Sequence, residues 1–186
     1  GRPGPATWEV GGYPEGAGEM PVSGVSWYEA AAYAAFADKR LPTIYHWNLA
    51  AGADSSFADV LRLSNFDGKG VEPAGRRGGL GPWGTLDMAG NIKEWCFNAA
   101  DGGLHYILGG AWNEPAYAFT RVDISRPPFD RAETNGFRCM KAIDPVSAEL
   151  SAADPQTIRD FKKERPVAEG TYQSFLRMYA YDAADL

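Results

Sequence analysis

The sequence is poor in cysteine. Among 186 residues it has two cysteines, Cys96 and Cys139, and two histidines, His46 and His105. These are too few for a disulfide scaffold and too few for a structural zinc site built from Cys and His ligands. One disulfide and two buried thiols both fit this count, so the pairing and the cellular compartment stay open.

Long hydrophobic runs and an excess of basic residues are also missing. No apolar stretch approaches the ~20 residues that a membrane-spanning helix needs, so we expect no membrane segment in this chain. The net charge of −6 and the pI near 4.9 argue against nucleic acid or an anionic membrane as the main partner, because both bind basic surfaces. The chain begins at Gly1 without an initiator Met or a signal peptide, and we expect it to be a piece of a longer protein.

What the sequence does contain is typical of a packed but loop-rich domain. Hydrophobic residues make up 45% of the chain, while 22 Gly and 13 Pro disfavour a helical bundle. Ser26-Trp-Tyr-Glu29 is a capping box, and it predicts a helix from Trp27 to about Asp38. Thr43 and Gly52 are the expected start and end of a second helix over residues 44–51.

Three strands are predicted after the helices. Residues 94–98 alternate polar and apolar at the period of a half-buried strand, and residues 106–112 and 136–141 are candidates to pair with it. A small antiparallel sheet with two helices on one side and long loops defines an α+β domain. The composition changes at Asp144-Pro145, so we assign residues 1–143 to the domain. Residues 144–186 are predicted to form a helical tail towards a following domain, with helices near 155–164 and 172–179.

The stretch from Gly84 to Asn98 carries most of the functional information. Asp87, Asn91 and Glu94 bring oxygen atoms together within a short loop that leads into a strand. Calcium takes six to eight oxygen ligands at about 2.3–2.6 Å, and loops of this kind supply them. Alternatively, these side chains close turns and cap backbone groups. Both interpretations stay open on the residues alone.

Several segments, in a fixed order over residues 21–141, resemble the sulfatase-modifying-factor, or formylglycine-generating-enzyme, family. Each segment alone is weak, and together they are specific. The segments are Pro21-Val-Ser-Gly-Val-Ser-Trp-Tyr-Glu-Ala30, Lys39-Arg-Leu-Pro-Thr43, Gly84-Thr-Leu-Asp-Met-Ala-Gly-Asn-Ile-Lys-Glu-Trp95, Leu108-Gly-Gly-Ala-Trp112 and Asn135-Gly-Phe-Arg-Cys139.

The resemblance implies a fold and a metal site. The family fold is a variant of the C-type-lectin-like fold with little regular secondary structure, in line with the loop-rich α+β expectation. The family's calcium loop maps onto the side chains of Asp87 and Glu94 and the main-chain carbonyls of Gly90 and Ile92. Calcium is therefore the expected cofactor. The resemblance also leads us to expect that the part of the family domain that precedes Pro21 is missing or abbreviated.

The catalytic pair of the family has no counterpart here. In the oxidising members, two cysteines separated by four residues bind copper as thiolates and activate oxygen, and copper(I) requires such soft ligands. The matching positions hold Glu114 and Phe119, and Cys139 matches a structural cysteine. We therefore expect no copper, no formylglycine synthesis and no catalytic residues.

Two stretches, Asn91-Ile-Lys-Glu-Trp-Cys96 and Pro127-Pro-Phe-Asp-Arg131, resemble one bacterial branch of the family. In that branch the module lies between a serine/threonine protein kinase and an α/β-hydrolase-like domain. The chain itself has no His-Arg-Asp and no Asp-Phe-Gly sequence, so kinase activity would belong to a flanking domain. The resemblance thus implies neighbouring domains as partners, and leaves a cytoplasmic or extracytoplasmic location open.

Three functions remain in competition. The first is a non-catalytic binding or sensor module that holds a peptide, a glycan or a neighbouring domain. The second is an enzyme of altered chemistry that uses Glu114 as an acid or base, with Asp123 as its partner carboxylate, or that uses a different metal. The third is a spacer between domains, with the groove filled by Phe119. The predicted ligand-binding groove consists of Trp83, Lys93, Trp112, Asn113, Glu114, Arg121 and Arg126.

Overall fold

The computed structural model describes residues 4–9, 11–52, 61–66, 68–121, 124–155 and 165–180. The chain divides into two compact units, Gly1–Gln156 and Thr157–Leu186. Within the described ranges, no helix combines the length and the apolar character needed to cross a bilayer. The predicted helix near residues 155–164 lies outside the described residues.

Two capped helices open the first unit, as predicted. Helix α1 spans Trp27–Phe36, and its capping box is closed: Glu29 donates its backbone N–H to Ser26 Oγ at 3.3 Å, and Ser26 donates its own to Glu29 Oε2 at 2.8 Å. Helix α2 spans Ile44–Ala51 between Thr43, which caps the His46 amide, and Gly52 in the left-handed conformation. Helix α1 ends before the expected Asp38, because the chain turns there at a φ of 53°.

A small mixed sheet lies between these helices. Its strands are β1 (Lys93–Ala99), β2 (His105–Leu108), β3 (Ser125–Arg126) and β4 (Asn135–Gly136), in the order β3-β2-β1-β4. Strand β1 pairs antiparallel with β2 and parallel with β4, so the expectation of a purely antiparallel sheet was wrong at β4. Strand β2 is shorter than the expected 106–112, because Gly109 and Gly110 turn the chain with φ of 102° and 72°.

The predicted closing strand over residues 136–141 is reduced to β4 and one further bridge. Gly136 ends β4 against the backbone of Val22, and a Cβ at this position would lie 2.7 Å from the Val22 carbonyl oxygen. Met140 and Arg40 then exchange two backbone hydrogen bonds, of 2.8 and 3.0 Å. The segment after β4 therefore fastens the end of the domain to the loop between the helices.

Strand β1 is the centre of the core, and both of its faces are covered. Trp95 and Phe97 pack in the cluster that includes Ala30 of α1, while Cys96 packs in the cluster of α2. Polar side chains share the α2 face, and each has buried partners: Glu94 accepts from Trp47 Nε1 at 2.7 Å. The expected half-buried strand is thus buried on both sides. The expectation of two helices on one side of the sheet was wrong, because α1 and α2 lie on opposite faces.

Asn98 at the end of β1 connects three segments. Its Oδ1 accepts the backbone N–H of Ile44 at 2.9 Å, and its Nδ2 donates to the carbonyls of Leu150 and Ala152 at 2.9 and 2.7 Å. Those carbonyls belong to the short helix α3 (Ala148–Ser151) and its end. Residues 144–155, which the sequence assigns to the tail, therefore pack within the first unit.

The second unit contains helix α4, which spans Glu169–Tyr179. It includes the tail helix predicted over residues 172–179. None of its described residues is buried, and its large apolar side chains are exposed: Tyr172, Phe175, Leu176, Met178 and Tyr179.

Candidate functional site

The loop before β1 uses its polar side chains to hold a neighbouring backbone segment. Asp87, Gly90 and Asn91 all have positive φ, between 52° and 73°. Asn91 Oδ1 accepts from the backbone N–H of Glu72 at 2.9 Å, and Asn91 Nδ2 donates to the Glu72 carbonyl at 2.9 Å. Asp87 Oδ2 accepts the backbone N–H of Gly75 at 2.5 Å. The amide of Asn91 and one oxygen of Asp87 thus cap backbone groups of the segment 72–75, as in the alternative that the sequence left open.

Glu94, the second carboxylate of the predicted calcium loop, is paired with a guanidinium. Arg138 Nε and Nη2 donate to Glu94 Oε2 and Oε1 at 2.5 and 2.6 Å. Only 7% of the Glu94 side chain is exposed. Burial lowers the pKa of Arg138, but the charge and the hydrogen bonds of Glu94 outweigh burial, so the pKa is raised overall. The pair is therefore a charged, bidentate bridge.

A cavity of about 340 Å³ brings part of the predicted metal site together. Asp87, Ile92 and Glu94 line it, and Arg138 lines it as well, whereas Gly90 does not. Gly90 is buried nearby and donates its N–H to the Gly109 carbonyl at 2.9 Å. The described residues include no group of three or more His, Cys, Asp or Glu side chains that could hold a metal ion.

The residues around this cavity do not fit calcium in their described arrangement. Calcium needs six to eight oxygen ligands with free lone pairs, yet both oxygens of Glu94 accept from Arg138 and one also accepts from Trp47. A positive guanidinium beside the same oxygens repels a second cation. Calcium binding by this loop stays a prediction of the family resemblance, and the contacts of Glu94 oppose it.

Arg138 and Trp47 both contact Glu94, and the sequence alone does not single them out. Arg138 lies in the segment Asn135-Gly-Phe-Arg-Cys139, whose resemblance to the family implies no role for the arginine. The signal that points to it is chemical: a carboxylate on a central strand is buried, and a buried carboxylate requires a cation or several donors.

The predicted groove begins at a second ion pair on the other face of β1. Lys93 Nζ donates to Glu114 Oε1 at 2.6 Å, with exposures of 6% for the lysine side chain and 24% for the glutamate. Glu114 Oε2 also accepts the backbone N–H of Ala111 at 3.1 Å. The Glu114 carboxylate is thus neutralised and held by the protein.

Beside this pair lies a cavity of about 260 Å³ that is open to solvent. Two of its lining residues are cationic, Arg121 and Arg126, and Tyr117 adds an exposed aromatic ring. Phe119, which could have filled the groove, is 2% exposed and packs in the core with its ring centroid 6.2 Å from that of Trp47. The lining residues are Glu114, Pro115, Tyr117, Ala118, Arg121, Ile124, Ser125 and Arg126.

The other predicted groove residues lie outside this cavity. Trp83 is 70% exposed, and Asn113 is exposed as well. Trp112 is half-buried, and its backbone N–H donates to the Asn91 carbonyl at 3.0 Å. The structure thus unites Lys93, Glu114, Arg121 and Arg126, and it does not add the two tryptophans to them. Asp123, the suggested partner of Glu114 in catalysis, lies outside the described residues.

The two cysteines are free thiols in different environments. Cys96 is fully buried, and burial together with the Glu94 charge raises its pKa well above the ordinary value. Cys139 is half-buried, and burial raises its pKa while Lys39 lowers it. A nucleophilic or copper-binding thiol requires the thiolate form. Neither environment favours that form, and the two thiols do not share the groove at Glu114.

Comparison with known proteins identifies the family. The family described as "Sulfatase-modifying factor enzyme 1-like domain" matches residues 6–143, most of the chain. The chain therefore belongs to this family, as its segments predicted.

Its relatives include a protein named as inactive and proteins named as enzymes. The chain is 29% identical over 163 residues to "Inactive C-alpha-formylglycine-generating enzyme 2" of Bos taurus, covering 71% of this chain and 54% of that protein. It is 29% identical over 160 residues to "Serine/threonine-protein kinase pkn1" of Chlamydia caviae, covering 69% of this chain and 25% of the kinase. It is 33% identical over 177 residues to "Formylglycine-generating enzyme" of Mycobacterium tuberculosis, covering 68% and 58%. The chain thus spans about half of the bovine protein and a quarter of the kinase.

Solved structures share the fold. "Treponema denticola variable protein 1" superposes with a TM-score of 0.57 at 20% identity, covering 74% of this chain and 76% of that chain. "Structure of PvdO from Pseudomonas aeruginosa" gives a TM-score of 0.55 at 22% identity, covering 64% and 60%. The predicted loop-rich α+β class is confirmed.

Proposed function

We propose that this chain is a non-catalytic binding module that holds an anionic peptide segment in the groove beside Glu114. One observation carries the proposal. The open cavity there is lined by Arg121 and Arg126, while its one lining carboxylate is already neutralised by Lys93. In an acidic chain of net charge −6, this groove is a locally cationic site that suits a carboxylate or phosphate.

The groove offers little support for catalysis. The family's cysteine positions hold Glu114 and Phe119, and the second of these is a core residue. Glu114 is tied to Lys93 and to the Ala111 amide, which leaves it poorly placed to exchange protons with a substrate. Similarity to a bovine protein named as inactive also supports a non-catalytic function.

The partner in this proposal is an acidic segment of the longer protein or of its target. The chain is similar to chlamydial protein kinases, and the sequences of residues 91–96 and 127–131 resemble one bacterial branch of the family. Both similarities support a position of this chain between a kinase domain and an α/β-hydrolase-like domain. A spacer with the same surroundings would bind no peptide, so peptide binding separates the two functions.

The test is fluorescence anisotropy with labelled peptides. A peptide of alternating Glu and Gly is compared with a peptide of the same length in which Gln replaces Glu. We expect the Glu peptide to bind and the Gln peptide to bind at least about tenfold more weakly, because each charge-assisted hydrogen bond contributes roughly 1.5–3 kcal/mol. Added salt should weaken the Glu peptide only.

Matched variants locate the site. Arg126→Gln should raise the Kd of the Glu peptide about tenfold. Arg76→Gln makes the same change in net charge at an exposed loop position away from the groove, and should leave the Kd within about twofold. Equal binding of both peptides, or an Arg126→Gln variant that binds like the parent chain, would overturn the proposal. Absence of binding by either peptide would favour the spacer.

A further inference from the structure

Arg138 gathers oxygen atoms around its guanidinium in the way that a bound cation does. Besides the two oxygens of Glu94, its Nη2 donates to the carbonyls of Leu86 and Asp87 at 3.0 and 3.3 Å. These acceptors belong to the loop and the strand that carry the predicted calcium ligands. The side chain thus brings a carboxylate and two main-chain oxygens onto one positive group.

The charge of Glu94 is neutralised without a metal ion. Glu94 is almost completely buried, and its opposite charge is Arg138, whose side chain is 29% exposed. Trp47 Nε1, on helix α2, also donates to Glu94 Oε2 at 2.7 Å. Asp87, the other acidic residue lining the cavity, has one oxygen committed to the Gly75 amide. A divalent ion here would have to displace a guanidinium that already makes several hydrogen bonds.

We propose that the Arg138 guanidinium is the resident cation of the 84–94 loop, so that the chain folds without calcium, and that removing Arg138 opens a site for a divalent or trivalent metal ion. The site that opens would be lined by oxygens of Glu94, Asp87 and the Leu86 and Asp87 carbonyls. Carboxylates and carbonyls are the ligands that hard cations such as calcium and terbium prefer. This inference concerns a different face of β1 from the groove at Glu114, and it does not depend on peptide binding.

The geometry explains why a fixed organic cation serves this loop. Arg138 follows β4, which pairs parallel with β1, so one residue reaches both the strand that carries Glu94 and the preceding loop. A guanidinium offers five donors in a planar fork, which matches a carboxylate and nearby carbonyls together. The loop is thereby closed by a covalent part of the chain, and its order is independent of the calcium concentration.

The first experiment measures thermal unfolding of the parent chain in chelator and in millimolar calcium. A ligand that binds only the folded state raises the Tm as its concentration exceeds the Kd. We expect the Tm of the parent chain to be the same in both solutions. A saturable rise of several degrees in the parent chain would overturn the inference directly, whatever any variant does.

The second experiment uses Arg138→Met, which removes the charge and keeps much of the side-chain volume. We expect a lower Tm in chelator and a partial, saturable recovery in calcium. We also expect terbium luminescence on excitation of tryptophan, because Trp47 adjoins Glu94. Both responses should vanish in the Arg138→Met, Glu94→Gln double variant. An Arg138→Met variant that folds only in calcium would support the inference, and one that folds but ignores calcium and terbium would overturn it.

Arg77→Met is a matched control. Arg77 also forms a fork with a glutamate, Glu72, at 2.7 and 2.8 Å, and its side chain has the same 29% exposure as Arg138. Its glutamate is more exposed, at 26%, and the pair lies outside the cavity of the predicted metal ligands. We expect this variant to gain no response to calcium or terbium. A response equal to that of Arg138→Met would show that loss of any such arginine suffices, and would overturn the assignment to Arg138.

Should Arg138→Met remain unfolded in both solutions, Arg138→Lys restores a cation and should again ignore calcium, while a calcium response in that variant would contradict the inference.

Discussion

Lys93 and Glu114 form an ion pair of 2.6 Å across the edge of the groove, with the lysine almost completely buried. Lys93 stands on the central strand, and Glu114 lies in the loop that follows β2. The pair therefore fixes the wall of the groove to the core, and it determines which charges the groove presents.

Glu114→Gln should destabilise the folded chain by about 2 kcal/mol, because it leaves the ammonium of Lys93 buried without its counter-charge. The free energy of unfolding from urea titration measures this cost. In the Lys93→Met, Glu114→Gln double variant the loss should be smaller than the sum of the two single losses.

The exposed pair of Lys141 and Asp38 supplies the control. Its atoms lie 3.4 Å apart with both side chains mostly exposed, so Asp38→Asn should change stability by no more than about 0.5 kcal/mol. Asparagine tolerates the positive φ of residue 38. Equal losses for Glu114→Gln and Asp38→Asn would contradict the buried character of the Lys93 pair.

Gly90→Ala should cost considerably more stability than Gly84→Ala. Both glycines have positive φ, 73° and 80°, so both variants carry the strain of an L-residue there, about 1 kcal/mol. A Cβ at Gly90 would also press on the backbone carbonyl of Asn65, whereas no atom lies within 4 Å of one at Gly84. We expect a total loss of at least about 3 kcal/mol for Gly90→Ala, measured as the urea midpoint at a constant m value. Equal midpoints would show that the loop at residue 90 relaxes freely.

His105 should make folding stability depend on pH. Its ring stacks on Trp27 at a centroid distance of 3.9 Å, and its Nδ1 is buried without a hydrogen-bond partner. Burial lowers the pKa of His105, although hydrogen bonds to the backbone of Phe97 and Asn98 oppose that shift. The pKa of His105 is therefore lower in the folded chain than in the unfolded chain, where it is near 6.5. The contribution of neutral His105 to folding stability is present above the unfolded-state pKa, and it is lost as the pH falls through the folded-state pKa.

The measurement for His105 is the slope of unfolding free energy against pH between about pH 7 and 5. His105→Gln should flatten this slope relative to the parent chain. His46→Gln is the control, because His46 has a partner for its Nδ1, Thr43 Oγ1 at 2.6 Å. A steeper slope for His105→Gln would contradict the assignment of a lowered folded-state pKa to His105.

One thiol should react in the folded chain. Cys139 is half-buried and Cys96 is fully buried, so native alkylation should modify one cysteine and denatured alkylation two. The native rate should rise with pH into the alkaline range, since burial raises the pKa of Cys139. Cys139→Ser should abolish the native reaction, and Lys39→Met should slow it by removing the charge that lowers this pKa. Native modification of both cysteines, counted by mass spectrometry, would contradict the burial of Cys96.

Local signals predicted the helices well. Ser26, Glu29, Thr43 and Gly52 act within one turn of the chain, and each takes the expected capping role. The direction of β4 depends instead on the path of the chain between residues 109 and 134, which has little regular structure. Periodicity cannot reveal that path, so the parallel pairing was missed.

The site was harder to predict than the fold. The family segments point to Asp87 and Glu94, but the partner of Glu94 is 44 positions away along the chain. Spacing patterns detect ligands within one loop, and they do not detect a cation from a distant segment of the chain. Residue type alone assigns Trp83 and Trp112 to the groove, because tryptophan often anchors a ligand. Their positions depend on contacts in the folded chain, which residue type does not reveal.

The bridges between distant segments also determine when this domain can fold. Gly24 donates its N–H to the Asn135 carbonyl at 2.9 Å, and Arg40 bonds Met140, so the segments around the first helix need residues that follow by about a hundred positions. Domains dominated by such nonlocal contacts fold slowly. During synthesis at roughly 5–20 residues per second, α1 and α2 emerge several seconds before the strands that cover them. Their apolar faces would stay accessible to chaperones throughout that interval.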